Sequence, residues 1–260
     1  MRYSDMALSD EQKQSFKTQG FLIFKSFFSP AEISRLSQFL DRLRDTKPEE
    51  GKEAKYYEKS PITGEPILVR VENLFGGLNP AEEALLITDR VKAILADLLG
   101  EPAVLFKEKI NYKVPGCRPD KLHQDQAAGW NAYSDFFITM GIMVDANRKD
   151  NAALSFLSSG NYKKELMGPE WQVLTHDDPP YKPENEYMLI EGQPGDVIFF
   201  DSYVPHGSPS NTSSEARRNT FLTFNRASDG DMRMRYYTDK WKNYAPNKVE
   251  DARANSSYRV

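Results

Sequence analysis

The fold class is decided by the run Val104-Leu105-Phe106-Lys107-Glu108-Lys109-Ile110-Asn111-Tyr112, which opens a part of the chain dominated by short apolar runs. β-branched and aromatic residues fill these runs, and Gly, Pro, Asn or Asp bound them. Further runs of this kind are Phe136 to Val144, Leu154 to Leu157, Tyr187 to Ile190, Val197 to Phe200 and Thr220 to Phe224. Many short strands with turn signals favour a sandwich or barrel over a doubly wound sheet.

The first hundred residues have the pattern of helices. Ser29-Pro30-Ala31-Glu32 combines an N-cap serine, a proline at the first helical position and a glutamate at the third. The apolar stripe behind it has helical spacing and consists of Ile33, Leu36, Leu40 and Leu43. Other signals in this part are a capping box at Ser9 to Gln12, a short strand at Phe21 to Phe24, an exposed loop at Thr46 to Pro61, and one or two helices at Pro80 to Leu99 ending before Gly100.

The 260 residues predict one domain, mainly β with a helical N-terminal part. We expect a helix-rich flank over residues 1–100, a β-core over 101–228 and a C-terminal extension over 229–260. The net charge of −4 argues against nucleic acid or a membrane surface as partner. No run approaches the roughly 18 apolar residues of a membrane span. Cys117 is the single cysteine and no secretory segment opens the chain, so a reducing cytoplasm is the expected location.

A metal-binding pattern is formed by His123-Gln124-Asp125 and the distant His206. Two imidazoles and one carboxylate are the ligands that hold non-haem Fe(II) on one face and leave positions open for other ligands. If the triplet continues a β-strand, His123 and Asp125 point the same way and Gln124 points elsewhere. The third histidine, His176, lies in a polar stretch and is expected to be a solvated loop residue.

Arg217 follows His206 by eleven residues and leads a strand-like run. A planar guanidinium grips a carboxylate through two parallel hydrogen bonds, which fits the far carboxylate of a bidentate 2-oxoacid such as 2-oxoglutarate. By strand alternation, its neighbour Arg218 should face the opposite side. The alternative is that both arginines are surface charges.

Several motifs together resemble the phytanoyl-CoA dioxygenase family. They are His123-Gln124-Asp125, the run from Asn151 to Gly160, Gly195-Asp196-Val197, His206-Gly207-Ser208 through Asn211 to Arg217, Gly20 to Phe24, Phe106 to Lys113, and Tyr236 to Lys240. The resemblance covers nearly the whole chain, in order. It is nearest to the compact members that resemble 2-aminoethylphosphonate dioxygenase.

The resemblance implies a double-stranded β-helix (a jelly-roll, cupin-like core) flanked by helices, with Fe(II) held by His123, Asp125 and His206. It implies that Arg217 binds the cosubstrate 2-oxoglutarate, with Ser208 and Gln124 near it, and that O₂ drives its conversion to succinate and CO₂. A carboxylate at Asp125 implies hydroxylation of a C–H bond; related halogenases have a small residue there. One departure concerns the substrate loop: the usual Asn-Gly-x-Leu and Pro-Gly-Ser-His are here Asn151-Ala152-Ala153-Leu154 and Ser158-Ser159-Gly160-Asn161.

The substrate is indicated only by charge. Lys107, Lys109 and Lys113 alternate along one predicted strand, and Arg118 and Lys121 lie just before the triplet. Inward-facing lysines would favour a small anionic substrate, namely a phosphonate, a carboxylate or an acyl-CoA. The alternative is a solvated basic sheet edge that discourages edge pairing.

Other roles stay open in the sequence. Trp130, Tyr133 and Tyr112 either line the pocket or belong to the core. Two other functions compete with a 2-oxoglutarate dioxygenase: an iron enzyme without that cosubstrate, and a non-catalytic metal-binding sensor. The oligomeric state is not indicated.

Overall fold

The computed structural model describes residues 7–157, 162–167 and 186–246. Its helices are α1 (Asp10–Gln19), α2 (Pro30–Asp45), α3 (Pro80–Leu86), α4 (Asp89–Leu99) and α5 (Arg233–Tyr244). Its strands are β1 (Phe21–Phe24), β2 (Ala54–Lys59), β3 (Pro66–Glu72), β4 (Ala103–Lys113), β5 (Asp120–His123), β6 (Ile138–Met143), β7 (Leu154–Leu157), β8 (Tyr187–Ile190), β9 (Val197–Asp201), β10 (His206–Ser208) and β11 (Arg217–Arg226).

The strands form two sheets, and all their pairings are antiparallel. The large sheet has the order β1-β9-β6-β11-β4-β3-β2, and the small sheet has the order β5-β10-β7-β8. Apolar side chains from both sheets pack in one cluster, in which Phe156 of β7 meets Phe21 and Phe200 of the large sheet at ring-centroid distances of 5.1 Å. The two sheets therefore face each other as a jelly roll, the predicted double-stranded β-helix.

Helices α1 to α4 cover the other face of the large sheet. Strand alternation directs Ile138, Met140 and Ile142 of β6 into a cluster with the apolar sides of α1, α2 and α4. Thr139 and Gly141, between them, face the small sheet. The large sheet thus has one apolar, helix-covered face and one face available for a site. None of the helices in the described ranges combines the length and apolar character of a membrane span.

Most predicted elements are confirmed. The predicted strands are present: β11 is five residues longer than predicted, β6 is three residues shorter, and the others differ by at most two residues. Ser9 and Ser29 both form capping boxes. The segment Pro80 to Leu99 divides into α3 and α4, and Gly100 ends the second with a left-handed backbone.

Two parts of the prediction differ from the structure. The loop predicted over Thr46 to Pro61 is wrong, since β2 lies within it and pairs with β3. Tyr56 of β2 is fully buried, with the guanidinium of Arg70 4.6 Å from its ring centroid. The C-terminal extension contains α5, which was not predicted and which buries Tyr236 and Tyr237 completely.

Candidate active site

The three predicted metal ligands lie together between the two sheets. One possible ligand atom from each of His123, Asp125 and His206 lies within 4.8 Å of the others. His123 ends β5, His206 begins the neighbouring β10, and the two residues are register partners. Asp125 places its carboxylate oxygens 3.6 Å from His123 Nε2 and 4.0 Å from His206 Nε2.

Both imidazoles are held by the backbone through their other nitrogen. His123 Nδ1 lies 2.7 Å from the carbonyl oxygen of Lys121, and His206 Nδ1 lies 3.0 Å from that of Val204. In neutral imidazoles these Nδ1–H groups donate, so each Nε2 presents its lone pair to the cluster. Burial lowers the pKa of His206 to about 4, and the neighbouring His123 acts in the same direction. His206 is therefore in the neutral form that a metal requires.

Asp125 reaches the cluster by a different route from the one predicted. The expected continuous strand from His123 to Asp125 is wrong: β5 ends at His123, and Asp125 begins a 3₁₀ turn, Asp125–Ala128. Burial alone would raise the pKa of Asp125. The neighbouring His123 and His206, together with Lys109, outweigh burial, and the pKa lies below its ordinary value. The carboxylate is thus ionised beside the two imidazoles.

A cavity of about 530 Å³ opens in front of this cluster. The large sheet supplies the facing wall through residues that are paired across strands: Thr223 is opposite both Lys107 and Thr139, and Phe221 is opposite Lys109. These five side chains all line the cavity. The hydroxyls of Thr139 and Thr223 are hydrogen-bonded to each other at 2.9 Å.

The predicted lysines face inward. Lys107, Lys109 and Lys113 all line the cavity, and the alternative of a solvated sheet edge is wrong because β4 lies between β3 and β11. Lys113 forms an ion pair with Asp120 at 2.8 Å. Within the described residues neither Lys107 nor Lys109 forms an ion pair with a carboxylate, in contrast to Lys113 and Lys240.

Aromatic rings hold these two lysines. The ammonium of Lys107 lies 4.8 Å from the ring centroid of Trp130 and 5.2 Å from that of Tyr236, and Lys109 lies 5.3 Å from that of Phe221. Burial lowers the pKa of Lys107 to about 7, and the positive charge of Lys240 contributes. An anion entering the cavity would meet two lysine side chains that no described carboxylate contacts directly.

Arg217 is buried on the cavity side of β11, with 1% of its surface exposed. Its guanidinium donates to the carbonyl oxygens of Asn151 and Ala152, and it is not among the residues that line the cavity. Burial lowers its pKa to about 10. No carboxylate of the described chain pairs with it. An unpaired buried guanidinium favours an anionic ligand. Its contact with 2-oxoglutarate stays a prediction.

Arg218 faces the other way, as strand alternation predicts. Its guanidinium forms ion pairs with Asp145 at 2.8 Å and with Asp41 of α2 at 3.0 Å. The alternative that both arginines are surface charges is therefore wrong. Arg217 is buried, and Arg218 is half-buried in a salt-bridge network.

The two remaining predicted cosubstrate contacts lie beside the cavity. Ser208 donates to the carboxylate of Asp120 at 3.4 Å. Gln124 directs its amide toward backbone groups of Glu165, Met167 and Tyr203. Neither side chain lines the cavity. Their contact with 2-oxoglutarate also stays a prediction.

The aromatic residues have different roles. Trp130 lines the cavity, whereas Tyr133 belongs to the aromatic cluster beside it. Tyr112 also borders the cavity, but its hydroxyl donates to the carbonyl oxygen of Leu40, on the helix side of the sheet. His176 and the segment 158–161 lie outside the described residues.

Sequence reasoning missed two cations of the cavity, Arg70 and Lys240. Arg70 is on β3 and Lys240 is on α5, and both form ion pairs with the buried Glu72. In the sequence Lys240 is only the last residue of the motif Tyr236 to Lys240. Its direction toward β4 depends on helix α5, which the sequence pattern did not predict.

A model of the family described as phytanoyl-CoA dioxygenase matches residues 16–219. The chain is 35% identical to a 2-aminoethylphosphonate dioxygenase of the uncultured bacterium HF130_AEPn_1, over 92% of this chain and 89% of the relative. It is 31% identical to a methylphosphonate hydroxylase of Gimesia maris, over 92% and 88% of the two chains. Among solved structures it resembles EctD from S. alaskensis with 2-oxoglutarate and 5-hydroxyectoine, at 20% identity and a TM-score of 0.67, over 85% and 77% of the chains. That likeness concerns the fold.

Proposed function

The chain belongs to the phytanoyl-CoA dioxygenase family, and on this premise we propose that it is an Fe(II)- and 2-oxoglutarate-dependent dioxygenase that hydroxylates a C–H bond of a small organophosphonate. The observation that carries the substrate class is the pair Lys107 and Lys109, which faces the His-Asp-His cluster across one cavity without a described carboxylate partner.

The donor set fits Fe(II). His123 and His206 offer Nε2 lone pairs, because each Nδ1 is engaged with a backbone carbonyl, and Asp125 offers an ionised carboxylate. Two imidazoles and one carboxylate leave positions for a bidentate 2-oxoacid and for O₂. When bound, Fe(II) couples decarboxylation of 2-oxoglutarate by O₂ to hydroxylation of the substrate. The presence of Asp125 supports hydroxylation, since the carboxylate occupies the place that a halide would need.

Arg217 is the proposed partner of the far carboxylate of 2-oxoglutarate. It is already buried, its charge is not paired with a described carboxylate, and its guanidinium rests on two carbonyl oxygens. A carboxylate ligand would replace these neutral acceptors with a charged one, which makes stronger hydrogen bonds. Ser208 and Gln124 would then support this end of the site from outside the cavity.

Lys107 and Lys109 are the proposed partners of the phosphonate. Their side chains come from the same strand face, and Thr139 and Thr223 add hydroxyl groups beside them. Binding a phosphonate would place its carbon atoms between these lysines and the metal ligands, where hydroxylation takes place. Two relatives above 30% identity are named for phosphonates, which supports this class of substrate.

The test is turnover of the full chain reconstituted with Fe(II), ascorbate and 2-oxoglutarate under air. We expect succinate formation to depend on 2-aminoethylphosphonate or methylphosphonate, and ³¹P NMR to detect the hydroxylated product. The carboxylate analogues 3-aminopropionate and acetate are the matched controls and should support little turnover. O₂ uptake that requires no 2-oxoglutarate would indicate a different iron enzyme, and metal binding without any O₂ uptake would indicate a sensor.

A further inference from the structure

We propose that Gln124 is a positioning residue that ties the two metal-bearing turns to each other and to the segment 162–167, rather than a ligand of the cosubstrate. The inference rests on the metal site of the proposed function. Gln124 lies between His123 and Asp125 in the chain, yet its side chain points out of the cavity and is buried.

The amide of Gln124 is fully engaged. Its Nε2 donates to the carbonyl oxygens of Tyr203 at 2.6 Å and Glu165 at 2.8 Å, and its Oε1 accepts from the backbone N–H of Met167 at 2.9 Å. Both amide N–H groups and the amide oxygen thus have partners. A direct bond to 2-oxoglutarate would require giving up one of these contacts.

Tyr203 belongs to the turn that carries the other imidazole. Asp201 accepts from the backbone N–H groups of Tyr203 and Val204, both at 2.9 Å, and the carbonyl oxygen of Val204 fixes His206 through Nδ1. The bond from Gln124 to the Tyr203 carbonyl therefore joins the turn after β5 to the turn before β10. Each turn supplies part of the metal-binding set.

The segment 162–167 has two further anchors. The hydroxyl of Tyr162 donates to the carboxylate of Asp201, and the ammonium of Lys164 lies 3.3 Å from the ring centroid of Phe136. The segment is thus held to the 201–204 turn at one end by Asp201 and to both turns by Gln124. Loss of the Gln124 amide would leave two carbonyls and one N–H without their partner and would loosen this assembly.

The experiment compares Gln124→Met with Gln126→Met in the full chain freed of metal. Methionine keeps the size of glutamine and removes its hydrogen bonds. Gln126 is a similarly buried glutamine two residues further on, and among the described residues its side chain donates only to the carbonyl oxygen of Ser134, at 3.0 Å. Co(II) titration measures metal affinity, and tryptic cleavage after Lys163 or Lys164 measures how firmly the segment is held.

We expect Gln124→Met to weaken Co(II) binding about tenfold or more and to accelerate cleavage after Lys163 or Lys164, with Gln126→Met close to the parent in both. Gln124→Glu is the second variant, since it retains the acceptor for Met167 and loses both donors; we expect it to weaken metal binding as well, even if the methionine variant folds poorly.

Three results would overturn the proposal. They are unchanged Co(II) affinity in both Gln124 variants, equal losses in Gln126→Met, and a raised KM for 2-oxoglutarate with metal affinity intact, which would show a direct cosubstrate contact. A parent chain that does not bind Co(II) would instead contradict the proposed function, and the tryptic comparison would still decide whether Gln124 holds the segment.

Discussion

His123 and His206 are directly opposite each other on the neighbouring antiparallel strands β5 and β10, with 4.4 Å between their ring centroids. Backbone pairing therefore sets the spacing of the two imidazoles. Phe156, the register partner of His206 on its other side, stacks on that ring at 5.3 Å and fixes its plane. Strand pairing and ring stacking thus position the two imidazoles, whereas the carboxylate of Asp125 comes from a turn.

Replacing that carboxylate tests the metal site. We expect Asp125→Ala to abolish succinate formation and to weaken Co(II) or Fe(II) binding by at least about 100-fold. Loss of a residue that only hydrogen-bonds to a metal ligand costs about 10- to 100-fold in affinity, and loss of a ligand should cost more. The measurement is metal titration followed by the turnover assay. Asp120→Asn is the control, because Asp120 lines the same cavity but pairs with Lys113. Similar metal affinities for the two variants would contradict the assignment of Asp125.

Arg217→Lys tests the cosubstrate clamp. Lysine keeps the charge but cannot make two parallel bonds to a carboxylate. Hydrogen bonds to charged groups contribute about 1.5–3 kcal/mol, so we expect the KM for 2-oxoglutarate to rise roughly tenfold to a hundredfold while metal affinity stays unchanged. Arg218→Lys, on the opposite face of β11, should leave this KM near that of the parent. Equal KM values for Arg217→Lys and the parent would remove Arg217 from the site.

Lys109→Met tests the substrate side. The loss of one cation from the cavity should raise the KM for the phosphonate about tenfold, through loss of a charged hydrogen bond, with little effect on the KM for 2-oxoglutarate. Lys121→Met is the matched control, since Lys121 borders the same cavity but is exposed. If Lys109→Met raised the KM for 2-oxoglutarate instead, Lys109 would belong to the cosubstrate side.

The chemistry of the site could be predicted because it depends on residue types at fixed spacings. The three ligands, and an arginine eleven residues after His206, are visible in the sequence. The inward direction of Lys107 and Lys109 followed from strand alternation only after β4 was known to be an interior strand. Edge and interior positions depend on which strands pair, and short-range patterns do not contain that information.

The missed elements are stabilised by distant partners. Helix α5 has no side-chain N-cap bond, and its Arg233 pairs with the buried Glu108 of β4. Strand β2 places Tyr56 between the cations of Arg70 and Lys240. The buried faces of both segments are aromatic and charged rather than aliphatic, and their partners come from distant parts of the chain.

Ala152 occupies a backbone conformation that favours glycine, with φ of 69°. It is the position at which the chain departs from the family's usual Asn-Gly pair, and its carbonyl oxygen accepts from Arg217. Left-handed backbone costs a non-glycine residue about 1–2 kcal/mol, whereas loss of one buried methyl costs about 0.8 kcal/mol. We therefore expect Ala152→Gly to raise the free energy of unfolding by up to about 1 kcal/mol.

Ala153→Gly is the control for this prediction, because Ala153 is equally buried and its φ is not positive. It loses the methyl without relief of strain and should destabilise the chain by about 1 kcal/mol or more. Urea unfolding of the metal-free proteins measures both. Destabilisation of equal size in both variants would show that position 152 is not strained.

Lys107 makes stability depend on pH. Burial and the neighbouring Lys240 lower its pKa to about 7 in the folded chain, whereas an unfolded chain restores an ordinary lysine with a pKa near 10.4. Between these values the unfolded chain binds more protons than the folded one, so this lysine makes stability rise with pH. Below about pH 7 Lys107 is charged in the folded chain as well, and the free energy of unfolding is reduced by the full cost of burying that charge.

Lys107→Met removes this cost. We expect the variant to be more stable than the parent at pH 6, on the order of a few kcal/mol, and the difference to shrink steadily as the pH is raised from 7 toward 10. Urea unfolding of both proteins across this range gives the difference directly, so that other titrating groups largely cancel. Lys121→Met, at an exposed position, should differ from the parent by less than about 0.5 kcal/mol at every pH. A Lys107→Met gain that does not change with pH would mean that Lys107 stays charged in the folded chain, so that the cavity contains a permanent cation before any anion enters.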